Sequence, residues 1–149
     1  MLFRSDAANG NKKFNYIGVQ YSHNDPATAQ RIITAALSKN KDIVAVFATN
    51  LFSAQGVATG IKQAGKSGKI SIVGFDAGSD QVKALKAGVV QALIAQQPAS
   101  IGAQGIEAAV KAIGGGTVSP HAVKTGFTIL TKKNIDTAAG KKAQYRDAC

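Results

Sequence analysis

Apolar and polar positions along this chain switch repeatedly between two periods. Short runs rich in β-branched and aromatic residues are each followed by a polar turn, then by a segment with apolar residues three and four apart. The first run, Phe14–Ser22 (FNYIGVQYS), is expected as a strand. The segment HNDPATAQRIITAALSKN follows as a helix, with Asp25 as its N-cap, Pro26 at its first position and an apolar stripe of Ile32, Ile33, Ala36 and Leu37. Asp42–Thr49 (DIVAVFAT) is a nearly continuous apolar run, as befits a strand buried on both faces. Ser53 is the expected cap of the next helix, which runs to about Ala64 and closes at Gly65. A third strand is expected over Lys69–Phe75, then a short helix, Asp80–Lys86, behind a Ser79 cap. Val89–Ala95 is the fourth strand. Gln97-Pro98 opens a helix over Ser100–Ile113 that stops at Gly114-Gly115-Gly116, and a last β-like run covers Ala122–Thr131 before a Lys-rich end.

Strands alternating with helices specify an α/β fold: a three-layer parallel sheet with helices on both faces. The length of 149 residues is that of one domain. Three segments are expected: a leader, 1–13; a lobe, 14–121; and a tail strand with a polar C-terminus, 122–149. Met1–Ser5 lacks the cationic and apolar stretches of a signal peptide and reads as a non-native remnant. No apolar run reaches the ~20 residues of a membrane span. Cys149 is the one cysteine, which excludes an internal disulfide or a cysteine-based zinc cage.

The formal charge of +10 raises nucleic acid as a partner. The basic residues are scattered singles and doublets, however, several at expected helix ends, and no aromatic residues interleave with them. No nucleic-acid role is assigned.

In parallel sheets, ligands bind beyond the carboxyl ends of the strands. Asn50, Asp76 and Gln96 stand there, after the second, third and fourth expected strands. Each can hydrogen-bond a small polar ligand and none is a nucleophile. A carboxylate at such a position can accept from two adjacent hydroxyls, and the two amides offer both donor and acceptor. Taken singly, Asn50 and Asp76 read more readily as turn caps; three polar residues at equivalent strand ends shift the reading towards a site. Phe52 is readable either as a cover for an apolar ligand face or as core.

Other motifs carry less. Gly60–Ser67 (GIKQAGKS) matches the phosphate-loop pattern, but a helix precedes it and a strand follows, the reverse of what phosphate binding needs. Gly102 and Gly105, inside a helix, read as a close-packing surface. His23 and His121 read as loop residues, without a second ligand at metal spacing. Glu107 is the only Glu, and no nucleophile set falls on strand ends. The chain is not expected to be an enzyme, and no metal or cofactor is expected.

The segments VFATN (46–50), VGFD (73–76) and ALIAQQPASIG (92–102), with NDPATAQ (24–30) and GFTILTKKNID (126–136), resemble the carboxy-terminal lobe of ribose-binding-type periplasmic receptors of ABC importers. That resemblance implies the type I binding-protein fold, in which two lobes close on a sugar. It implies sugar contacts at Asn50, Asp76 and Gln96, a membrane permease as partner, a periplasmic location and a monomer when full length. Leu51 stands where many members carry Asp. The family's strand and helix before Phe14, and its amino-terminal lobe, have no counterpart here. Weak or undetectable sugar binding by this chain alone is therefore expected, along with strand edges at Phe14 and Asp42 that pair directly or stay open. The alternative is the effector domain of a LacI-type repressor, in which a second Asp commonly follows Gly-Phe-Asp; here Ala77 does.

Overall fold

A computed structural model describes residues 15–120 and 122–146. Helix α1 (Pro26–Lys39) leads into strand β1 (Ala45–Ala48), helix α2 (Leu51–Gln63), strand β2 (Ser71–Phe75) and helix α3 (Ser79–Lys86). Strand β3 (Ala92–Gln96), helix α4 (Pro98–Ile113), strand β4 (Phe127–Thr131) and helix α5 (Ala138–Lys142) complete the order. The four strands form one sheet in the order β1-β2-β3-β4. The pairs β1–β2 and β2–β3 are parallel. This is the expected α/β architecture, but the sheet is not all parallel: β4 runs antiparallel to β3, pairing Leu93 with Leu130 and Gln96 with Phe127. Antiparallel entry needs no crossover helix, so the loop after α4 can deliver the tail directly to the sheet edge.

The core lies against one face of the sheet. Register places Ala48, Ile72, Gly74, Leu93, Ala95 and Leu130 on that face, and all six are buried. Ala54, Val57 and Ile61 of α2 and Val82 and Leu85 of α3 pack there, with Ile33 and Leu37 of α1 joining the same cluster. The opposite face is only half-buried at Phe47, Val73, Phe75 and Ile94, and Ile129 is exposed. Helix α4 contains no buried residue; its Ile106, Val110 and Ile113 stand in solvent.

Glycines 56 and 60 let α1 and α2 approach closely. A Cβ on Gly56 would fall on the Pro26 carbonyl oxygen and lie 2.7 Å from Ala29 Cβ, and one on Gly60 would lie 2.5 Å from Ile33 Cγ2. Gly102 and Gly105, expected at a close-packed helix surface, have nothing within 4 Å of a Cβ. The packing glycines are thus on α2, because α2 lies between the sheet and α1 whereas α4 is exposed.

The Phe14–Ser22 strand does not form over its described residues 15–22. Gly18 takes φ +107, which interrupts the extended run. β1 stands first in the strand order, so no ladder reaches this segment, and an unladdered strand leaves its backbone groups to water. The segment is nevertheless anchored at its end, where the Ser22 and Ser53 hydroxyls share a buried 2.8 Å hydrogen bond. The Asp42–Thr49 run contracts to four residues, partly exposed at its start, as suits a strand at the end of the order.

The helix termini follow local chemistry. Asp25 Oδ1 accepts from Thr28 N at 2.6 Å, with Pro26 at the first helical position as expected. α2 ends with Lys66 N donating to the Ile61 carbonyl and Gly65 N to that of Lys62, a Schellman closure with Gly65 at φ +65. The phosphate-loop lookalike is therefore a helix end running into a turn. Ser53 is not the α2 cap: Asn50 is, its Oδ1 accepting from Ser53 N at 2.8 Å. Gly78, not Ser79, caps α3, and Gln81 Oε1 accepts from its N–H.

Candidate functional site

Three strand ends meet at one point. Asn50 follows β1 as the cap of α2, Asp76 directly follows β2, and Gln96 is the last residue of β3. Because these strands are adjacent and parallel, their carboxyl ends lie side by side and the three polar residues converge.

Asp76 is the hub. Its Oδ1 accepts from Gln96 Nε2 at 2.8 Å and from the Tyr145 hydroxyl at 3.0 Å. Its Oδ2 accepts from the Leu51 backbone N–H at 3.2 Å. That donor belongs to the first turn of α2, where unpaired N–H groups and the positive helix end favour an anion. The Asp76 backbone sits at φ +78, the left-handed region that Asp tolerates better than most residues. Its N–H donates to the Ile94 carbonyl at 2.9 Å. A left-handed residue straight after a strand turns the chain sharply enough to hold the carboxylate over the neighbouring strand ends.

Asn50 takes the capping role and leaves its amide nitrogen over. Its Oδ1 is committed to the helix cap, while among the described residues nothing pairs with its Nδ2. Gln96 donates through Nε2 and keeps Oε1 without a described partner. The site therefore retains donor capacity at Asn50 and acceptor capacity at Gln96 and Asp76. Phe52, the second residue of α2, is 41% exposed and absent from the core cluster. Leu51 packs towards Gly78, where a Cβ would lie 2.7 Å from Leu51 Cδ1, which ties the loop after β1 to the loop after β2.

Sequence reasoning did not find Tyr145. Its hydroxyl accepts from the Gln96 backbone N–H at 3.0 Å while donating to Asp76, and its own N–H donates to the Ala77 carbonyl at 3.0 Å. Burial, with the Asp76 charge beside it, pushes the phenol up to about 12. Its sequence distance of 69 residues from Asp76 leaves no local signal. The one available cue was a lone aromatic in a polar tail.

His23 lies in a turn with φ +51, and His121 lies outside the described residues, as do Cys149 and the 1–13 leader. Among the described residues, no group of three His, Cys, Asp or Glu is placed to hold a metal. No described helix is long and apolar enough to cross a membrane.

A family model described as a periplasmic binding protein domain matches residues 3–117. The D-allose-binding periplasmic protein of Escherichia coli K12 is 38% identical over 96 residues, 64% of this chain and 31% of that protein. The ribose import binding protein of Haemophilus influenzae is 39% identical over 103 residues, 69% of this chain and 35% of its own length. Among solved structures, an ABC transporter solute-binding protein from Agrobacterium vitis with bound D-fucose superposes with TM-score 0.84 at 33% identity. That superposition covers 94% of this chain and 48% of the other. A second from the same organism, bound to α-D-tagatopyranose, gives 0.83 at 36% identity, covering 90% and 45%. The chain thus spans about a third of the length of these curated relatives and about half of these solved structures.

Proposed function

Because the chain belongs to the periplasmic binding protein family, as a ribose-binding-like type I member, we propose that it supplies one lobe's contacts to a monosaccharide carried to an ABC importer. The observation that carries this reading is the convergence of Asn50, Asp76 and Gln96 on adjacent strand ends with donor and acceptor valences unfilled. Sugar hydroxyls both donate and accept, so a carboxylate flanked by two amides complements them, and Phe52 offers an apolar face for the ring. Relatives bearing the names of allose and ribose receptors, and neighbours holding D-fucose and D-tagatose, support a monosaccharide as ligand.

The same relatives favour transport over repression, since those named here are import receptors or solute-binding proteins. The partner on this reading is a membrane permease, and the location is the periplasm. The lobe extends from about residue 14 to 121, and the tail from 122 onward adds β4 to its sheet. The matching family is one of binding proteins rather than enzymes.

Nuclear magnetic resonance of this chain, titrated separately with D-ribose and D-allose, tests the proposal. The expected result is a saturable shift of the Asn50, Asp76 and Gln96 resonances with affinity weaker than micromolar, because a one-sided site leaves the sugar largely hydrated. Unmoved resonances at all three residues for both sugars would overturn the sugar reading. Micromolar affinity would instead overturn the view that a second lobe supplies the remaining contacts.

A further inference from the structure

Counting the acceptor positions of Asp76 assigns a task to the tail. A carboxylate offers about four lone-pair sites. At Asp76 three are taken: Oδ1 by Gln96 Nε2 and by the Tyr145 hydroxyl, and Oδ2 by the Leu51 N–H. One position on Oδ2 remains for a ligand. The two donors on Oδ1 differ in their freedom to leave. Gln96 Nε2 ends a side chain with no other described bond, so it can rotate away at the cost of one hydrogen bond. Tyr145 is held at both ends: its oxygen caps the Gln96 N–H, and its backbone N–H is fixed to Ala77, the residue after Asp76.

We propose that Tyr145 is a positioning residue of the site, pinning Asp76 Oδ1 so that a ligand hydroxyl is received at Oδ2 while Gln96 is the group that yields. The inference rests on the sugar reading above. A first hydroxyl binds Oδ2 without disturbing the protein. A second, adjacent hydroxyl gains access to Oδ1 only when the Gln96 amide swings out, and that freed amide then pairs with the same diol. Tyr145 thereby makes the site a diol clamp with one fixed and one movable jaw. It also links the ends of β2 and β3, which keeps the carboxylate in its left-handed turn.

The test uses the full chain with D-ribose and D-allose as probes. In the unsubstituted chain, the Tyr145 Cζ resonance is expected to move with the same midpoint as the Gln96 side-chain amide, a response that a tyrosine serving only the fold would not give. Tyr145→Phe is expected to weaken binding roughly tenfold, the scale of one hydrogen bond to a charged group, with the melting temperature measured alongside. A stationary Cζ beside a moving Gln96 amide overturns the proposal, as does a folded Y145F chain with an unchanged midpoint. If Y145F does not fold, the Cζ response of the unsubstituted chain decides. No response at Asn50 or Gln96 for either sugar removes the sugar reading, and this inference with it.

Discussion

Replacing Gly56 by Ala should force α1 away from α2, the helix whose first turn carries the Asn50 side of the site. The added methyl would fall on the Pro26 carbonyl oxygen and stand 2.7 Å from Ala29 Cβ and 3.0 Å from the Gln30 nitrogen. Carbon atoms pack best at about 3.5–4.0 Å, so α1 and α2 must separate by roughly 1 Å. The nearest obstacles are backbone or an Ala methyl, so no rotamer change relieves them. A gap of that size costs a quarter to a half of each contact's attraction, and overpacked sites lose roughly 1–3 kcal/mol in total. Ala recovers about 1 kcal/mol as a better helix former than Gly. The net expectation is a loss of up to about 2 kcal/mol, or a fall of up to about 1.3 M in the urea midpoint for a slope near 1.5 kcal/mol/M. Gly105→Ala is the control. It lies in an exposed helix with nothing near the new methyl, so only the propensity gain of about 1 kcal/mol applies and the midpoint should rise. Urea unfolding followed by circular dichroism reads both. If the two midpoints shift in the same direction, the close α1–α2 contact is not what Gly56 serves.

Asn50→Ala should lose about 1 kcal/mol of stability, because Ser53 N loses its capping oxygen. Asn50→Asp keeps that oxygen and should unfold near the wild-type midpoint, yet lose the sugar response, since the free amide donor is gone; a stable N50D chain with an unweakened response would refute the ligand role of Nδ2. Tyr145, pushed up to about 12 by burial and by the Asp76 charge, gives a high-pH prediction whose sign is fixed. The folded state holds the proton more tightly than the unfolded chain does, so stability is intact below pH 10 and falls as pH rises from 10 to 12. Asp76→Asn removes the neighbouring charge, and its Tyr145 should ionise at lower pH in a near-ultraviolet tyrosinate titration. An unmoved titration would show that desolvation alone sets the shift.

Local chemistry was legible wherever a motif closes on itself within a few residues. Asp25 with Pro26 opens α1, and Gly65 closes α2, as read, because a cap needs only its own turn. The convergence of Asn50, Asp76 and Gln96 was legible for a related reason. Parallel strands joined by helices must bring their carboxyl ends to one edge, so a polar residue just past each strand lands beside the next. Where two local readings competed, the sequence could not choose. Ser53 was expected as the cap, but Asn50 fills that place, and the Ser53 hydroxyl goes instead to Ser22, a partner 31 residues away.

What tertiary structure alone decided is everything that depends on a neighbour distant in sequence. The run FNYIGVQYS has strand-forming residues, but a strand exists only with a ladder partner, and β1 supplies none to residues 15–22. Gly56 and Gly102 are alike in local sequence context, both within helices, and only the position of α1 makes the first a contact point and leaves the second in solvent. Tyr145 reaches Asp76 because β4 pairs antiparallel with β3 and α5 turns the tail back across the strand ends. Periodicity and capping thus determined helices α1 to α4, since those depend on bonds within a turn. The closure of the site from the far end of the chain depended on packing, which no short stretch of sequence encodes.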